Sequence, residues 1–300
     1  MKVIWVLENI RKDHKFFLPE IELLGLIASI SNWKLLYPET NTHLYCDSTV
    51  LEYLTKIEIL DLWDNVHTEE LCTEDKINRR AFWAASKIKI LRNIEAPFII
   101  MDCDLYFKKR SLDLDSFQKF DIVTNQIEDG LGYYPTKRDP IIKEMNDPFK
   151  YRSSHAFNVA FLYIGCEKIR REYTNLAYSW MEDLSSKNPD IGILTGKHMI
   201  FCEQKMLKEF SDLYDSKVIS LADHMIKGAE ERIPMMDGYE SLNLRDSDYV
   251  HLHRLKSRVK FNSGLFIDTR SDIIKSIYNL SPERSKKAFS ALKLSNQDLF

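Results

Sequence analysis

The 300-residue chain carries 42 lysines and arginines against 45 aspartates and glutamates, and 44% of its residues are apolar. Such a chain can bury a substantial core, and its net charge of −3 excludes the basic surface expected of a nucleic-acid-binding protein. Five cysteines, odd in number and without a C-x-x-C, exclude a disulfide framework and a cysteine zinc site, and suit a reducing cytosol.

The opening MKVIWVLE is too short an apolar run for a signal peptide, and no apolar stretch is long enough to span a membrane, so a soluble, cytoplasmic protein is expected. Lys2 to Leu7 reads as a buried strand, and Asn9 to His14 as a polar loop at its C-terminal end, where open α/β sheets bind ligands. Pro19 to Trp33 has helical spacing with proline in a plausible first turn. A short strand at His43 to Cys46 follows, then a helix over Thr49 to Lys56 capped by Asp47 or Ser48. The spacing of Phe82, Ala85, Ile88 and Leu91 predicts a helix from about Asp75 to Asn93. Pro97 to Met101 reads as a strand, Phe120 to Asn125 as another, and Ala156 to Gly165 as a third. Tyr133 to Arg152 is a polar excursion. Helices are expected over Ile169 to Leu184 and His198 to Phe210, a strand over Tyr249 to His253, and a charged helical segment over 271–300. Strands alternating with helices on short links predict an α/β fold with a mostly parallel central sheet flanked by helices, forming one domain over 1–300. There is no G-x-G-x-x-G after the first strand, so the dinucleotide fingerprint is absent.

The chemistry is densest at Pro97-Phe98-Ile99-Ile100-Met101-Asp102-Cys103-Asp104, an apolar run ending in two acids one residue apart. In a regular strand these carboxylates lie roughly 6.6 Å apart on one side, too far for tight joint chelation unless the backbone turns. Two carboxylates at a strand end make a hard-oxygen site suited to Mg or Mn carrying a diphosphate. Two other D-x-D pairs, Asp113-Leu114-Asp115 and Asp246-Ser247-Asp248, follow no apolar run. His251 and His253 share a face of their strand. Either can complete the coordination, and Arg254 and Lys256 beyond them can hold phosphate charge; equally, the pair can be the outward residues of a surface strand. Cys103, Cys166 and Cys202 fall in apolar runs and read as buried fillers.

The stretch FIIMDCDLYF, with a helical run ahead of it, resembles the D-x-D region of metal-dependent, nucleotide-sugar glycosyltransferases of the GT-A fold. It is most similar to the group containing glycogenin and bacterial galactosyl- and glucosyltransferases. The resemblance implies transfer of a sugar, with retention of configuration, from a nucleotide diphosphate sugar to a glycan, lipid-linked or protein acceptor. Asp102, Asp104 and His251 or His253 would hold Mn²⁺ or Mg²⁺. Lys87, Arg80, Arg254 and Lys256 would assist at the nucleotide sugar. FNVAFLYIG resembles the relatives' pocket strand, which makes Asn158 a sugar contact. Glu203-Gln204 resembles their Asp-Gln pair, and Asp129 is a second candidate acid. Two alternatives stand beside this. One is a nucleotide-sugar-binding protein without catalysis. The other is an aspartyl-nucleophile phosphatase, although that type carries its acids after the opening strand. A lipid-linked acceptor would give the basic C-terminal helix (Arg284, Lys286, Lys287) a place at the inner membrane face.

Overall fold

The computed structural model describes residues 1–10, 15–68, 71, 76–129, 155–187, 197–221, 248–252 and 261–296. In chain order the elements are β1 (Lys2–Leu7), α1 (Glu20–Leu36), β2 (Asn41–Cys46), α2 (Ser48–Lys56), β3 (Asn65–His67), α3 (Ala85–Asn93), β4 (Phe98–Met101), β5 (Leu105–Phe107), β6 (Ile122–Asp129) and β7 (His155–Ile164). There follow α4 (Glu167–Lys187), α5 (Lys197–Ile200), α6 (Met206–Leu213), β8 (Val218–Ser220), β9 (Tyr249–His251), α7 (Ser263–Leu280) and α8 (Pro282–Asn296). The expected α/β class is what forms, with most sheet strands sharing a direction: β1 and β2 are parallel, and β4, β6 and β8 all oppose β7. The chain divides into two compact units.

The first unit comprises Met1–Val66, Asp102–Leu112 and the described residues from 248 onward. Its strands lie in the order β3-β2-β1, and a separate antiparallel pair joins β5 to β9. Residues 23–33 of α1 are all buried, the pattern of a helix covered on every side. Acids Glu20 and Glu22 sit in its first turn, where the helix dipole favours them. Of the two expected caps for α2, Asp47 fills the role: its carboxylate accepts from the Thr49 and Val50 N–H groups at 2.9 Å, an arrangement worth about 1 kcal/mol.

The C-terminal helices pack on α1. Helix begins at Ser263 rather than near Ser271, because Asn262 caps it by accepting from Leu265 N–H at 3.0 Å. Pro282 takes the first position of α8, where its missing N–H costs nothing. Ala288, Ala291 and Leu292 of α8 are buried. Three of its four basic side chains have partners within the unit: Lys287 pairs with Asp61, Lys286 with Glu283, and Arg284 Nη1 donates to Ser31 O at 3.4 Å.

The second unit spans His67–Met101 and the described residues of 113–221. Its strand order is β4-β7-β6-β8, and α3 packs against α4. Helix α3 starts ten residues later than its spacing predicts. Asn78 forms a turn instead, its Oδ1 accepting from Arg80 N–H (3.0 Å) and Ala81 N–H (3.3 Å). Asparagine competes with helix in this way because its side chain satisfies the backbone locally. Strand β6 runs past the expected Asn125 to Asp129, because β7 pairs with its polar end; a bulge interrupts the ladder between Thr124 and Gln126. Of the three cysteines expected to be buried, Cys202 is, whereas Cys103 and Cys166 are half-buried. Among the described residues no helix is long and apolar enough to cross a membrane.

Candidate metal centre and the second polar cluster

Strand β4, buried along its length, ends at Met101, and the next residues turn, with Leu105 N–H donating to Asp102 O at 3.2 Å. The turn resolves the spacing problem of a regular strand. Asp104 enters β5, whose Leu105 stands opposite His251 of β9, and Leu252 N–H donates to Asp104 O at 3.0 Å. One ligand atom each from Asp102, Asp104 and His251 then lies within 4.8 Å of the others. His251 Nε2 is 3.6 Å from Asp104 Oδ1. Asp104 is 7% exposed, and the other two are half-buried. Two carboxylates and one imidazole within reach of a common point fit Mn²⁺ or Mg²⁺, and three protein ligands leave positions for a substrate's oxygens. His251 is the histidine in this group; His253, Arg254 and Lys256 lie outside the described residues.

The surrounding hydrogen bonds fix β5. Asn32 Nδ2 donates to Phe107 O and to Ser276 Oγ, both at 2.8 Å. Tyr106 OH donates to Asp272 at 3.1 Å, and Lys108 pairs with the same carboxylate at 3.0 Å. Burial, with Asp272 adding to it, pushes the Tyr106 phenol far up, so it stays a donor. At the adjacent ends of β1 and β2, Asn9 N–H donates to Asp47 Oδ2 at 2.5 Å. This is where the sequence places a ligand loop, of which residues 11–14 lie outside the described set.

The remaining candidates gather in the second unit. Lys87, buried on α3, pairs with Glu203 at 2.8 Å and donates to Val159 O at 3.1 Å. Glu203 lies in a π turn, Phe201–Lys205, inserted between α5 and α6, a distortion frequent at functional sites. Tyr173 OH donates to Glu203 O at 3.0 Å. Lys205 closes the turn, pairing with Glu209 at 2.9 Å and donating to His155 O at 2.6 Å. Asn158 is half-buried and has partners for both ends of its amide: its Nδ2 donates to Glu128 at 2.8 Å, and its Oδ1 accepts from Ala160 N–H at 3.1 Å. Asp129 ends β6, in register with His155. Arg80 is exposed in the turn before α3 rather than on the helix.

Two residues were invisible to sequence reasoning. Asn125 sits at the β6 bulge, 3% exposed, and its Oδ1 has no hydrogen-bond partner among the described residues. The only signal was an amide ending the run Ile122-Val123-Thr124. Gly25, in the middle of α1, faces Leu252 and the acid turn. Two of the thiols, Cys46 and Cys202, are poor nucleophiles. Burial, then Asp47, raises Cys46 to about 12, and burial, then Glu203, lifts Cys202 well above its ordinary value.

The sequence matches none of the curated proteins. Among solved structures, it is similar to the LgtC galactosyltransferase in complex with donor and acceptor sugar analogs. That match has 12% identity, covers 67% of this chain and 70% of that one, and has a TM-score of 0.36. The PaToxG glycosyltransferase matches at 13% identity over 71% and 74% of the two chains, TM-score 0.37. Mouse xyloside xylosyltransferase 1 matches at 14% over 74% and 85%, TM-score 0.38. Likeness at that level fixes neither fold family nor activity. A family model matches residues 2–267, and the chain belongs to that family, DUF6734, a family of unknown function.

Proposed function

We propose that the protein is a metal-dependent glycosyltransferase of the GT-A type, the whole chain acting as one domain on a nucleotide diphosphate sugar. The observation carrying this reading is the convergence of Asp102, Asp104 and His251 on one point. These three would hold Mn²⁺ or Mg²⁺. A bound ion supplies a Lewis acid that neutralises charge on the departing nucleoside diphosphate. Arg254 and Lys256, which follow His251 in the chain, would add positive charge at the phosphates, with Lys87 and Arg80 in the same role by resemblance. Asn158, its amide oriented by Glu128 and Ala160, would hold the donor sugar, and Asp129 and Glu203 the acceptor side. Retention of configuration rests on the resemblance, and proton NMR of the product anomer tests it.

The experiment is calorimetric titration of UDP and GDP with and without Mn²⁺, on the parent and on Asp104→Asn. We expect Mn²⁺-dependent binding that the substitution abolishes while the circular dichroism spectrum is kept. Equal affinity in the two proteins would sink the metal reading. One observation favours a binding protein without catalysis: the Glu203 carboxylate is already paired with Lys87. Hydrolysis of a nucleotide-sugar panel separates the two, since only an enzyme releases free sugar. The phosphatase reading is weaker, because the acids follow β4 rather than the opening strand and a histidine joins them. The acceptor would be a glycan, a protein, or a lipid-linked sugar at the inner membrane face. Retention of the chain on anionic vesicles at low salt assigns the lipid, and its staying in the supernatant assigns a soluble acceptor.

A further inference from the structure

Helix α1 carries a glycine at its centre, where glycine weakens a helix relative to alanine. The reason lies on the facing surface. A Cβ on Gly25 would stand 2.9 Å from Leu252 Cδ1, 3.7 Å from Asp104 Cα and 3.8 Å from Cys103 O. Real Cβ atoms essentially never approach under 3.0 Å, so Leu252 would have to give way. Cδ1 is the far end of a flexible side chain, which shifts cheaply where there is room; Leu252 is fully buried, so in a close-packed interior its methyl moves only by displacing packed neighbours. The Leu252 backbone is bonded on one side to His251 and on the other donates its N–H to Asp104 O at 3.0 Å. A shift that reached the Leu252 backbone would move two of the three clustered ligand groups relative to Asp102.

We propose that Gly25 is a positioning residue for the metal centre: its missing side chain lets α1 seat Leu252 and the Asp102–Asp104 turn at the spacing one ion requires. The inference rests on the metal reading of that cluster. Its range is short, because the other two atoms a Cβ would meet lie at ordinary contact distance. Removing the clashing methyl should therefore undo the effect of adding the Cβ. Gly25 touches no ligand atom itself, so the coupling runs through Leu252.

The test measures Mn²⁺ affinity by calorimetry, and the spectrum of bound Mn²⁺ by electron paramagnetic resonance, in the parent, Gly25→Ala, Leu252→Val and the double variant. Gly25→Ala is expected to bind Mn²⁺ about tenfold or more weakly, the range seen when a ligand's supporting contact is lost. Its Mn²⁺ spectrum should be broadened. The double variant, which trims the clashing methyl, should recover to within a few-fold of Leu252→Val alone, giving a non-additive cycle. If Gly25→Ala fails to fold, the double variant against Leu252→Val carries the test. Parent-like affinity in Gly25→Ala, or no recovery in a folded double variant, overturns the proposal. If Asp104→Asn binds Mn²⁺ like the parent, the metal reading itself fails and takes the positioning role with it. A melting-temperature loss with unchanged affinity assigns Gly25 to packing alone and also overturns it.

Discussion

Replacing Lys205 by methionine tests the π turn that carries Glu203. Lys205 is 0% exposed and its partner Glu209 1%, so the substitution leaves a carboxylate inside the protein without its cation. Breaking one side of such a pair costs about 3–5 kcal/mol. At an unfolding entropy of about 2.1 cal/mol/K per residue, a 300-residue chain shifts its melting temperature by about 1.6 °C per kcal/mol, so Lys205→Met should melt roughly 5–8 °C lower. Desolvation of both charges offsets what such a buried pair gains. Burial is the largest influence on the Lys205 ammonium and, with the Lys208 charge, lowers its pKa against the raising effect of Glu209 and Asp212. Replacing both residues with apolar side chains, Lys205→Met with Glu209→Leu, should therefore be neutral or stabilising. The sign in pH follows. Because the folded pKa lies below the ordinary 10.5, the unfolded chain binds more protons between the two values. The parent thus gains stability with rising pH there, a rise the double variant lacks. Urea unfolding at neutral pH, with melting curves toward pH 10.5, reads both effects. A single variant within about 1 kcal/mol of the parent, or a double variant worse than the single, would refute the reasoning.

The histidines separate cleanly. His251→Ala should weaken Mn²⁺ binding by about 10- to 100-fold, whereas His253→Ala should change it little; equal, negligible losses would return both to a surface strand. Acid stability has a named source in Asp64. Burial raises its carboxyl, but Lys34 and the Thr42 N–H and hydroxyl outweigh burial and hold it at about 2. That contribution is complete above the ordinary 3.8 and is lost as pH falls toward 2. Asp64→Asn should therefore melt lower than the parent at pH 5 and converge with it near pH 2, and parallel curves would rule the pairing out.

What could be read from the sequence was whatever depends on neighbours in the chain. The acid pair stood out because four apolar residues precede it, and His251 because it alternates with Val250 and Leu252. The turn that brings the acids together was only inferable from the awkward spacing of a straight strand. Features set by partners distant in sequence stayed hidden. The pairing of Glu203 with Lys87, on α3, leaves no signature in the residues around either one. The polar end of β6 looked like loop, and β7 makes it strand. Asn78 broke a helix that its apolar spacing supported, through two hydrogen bonds no periodicity records.

The β5–β9 pairing has a consequence for the order of events during synthesis. Asp102 and Asp104 leave the ribosome well before the strand that brings His251 to them. The second unit's described residues end at 221, ahead of β9. Domains fold as units from the N-terminal side as the chain emerges, so the second unit has all its residues available while the first still lacks its closing strand and helices. The nascent protein therefore carries an acid pair without its histidine for much of translation, and the convergence of Asp102, Asp104 and His251 is among the last features to form.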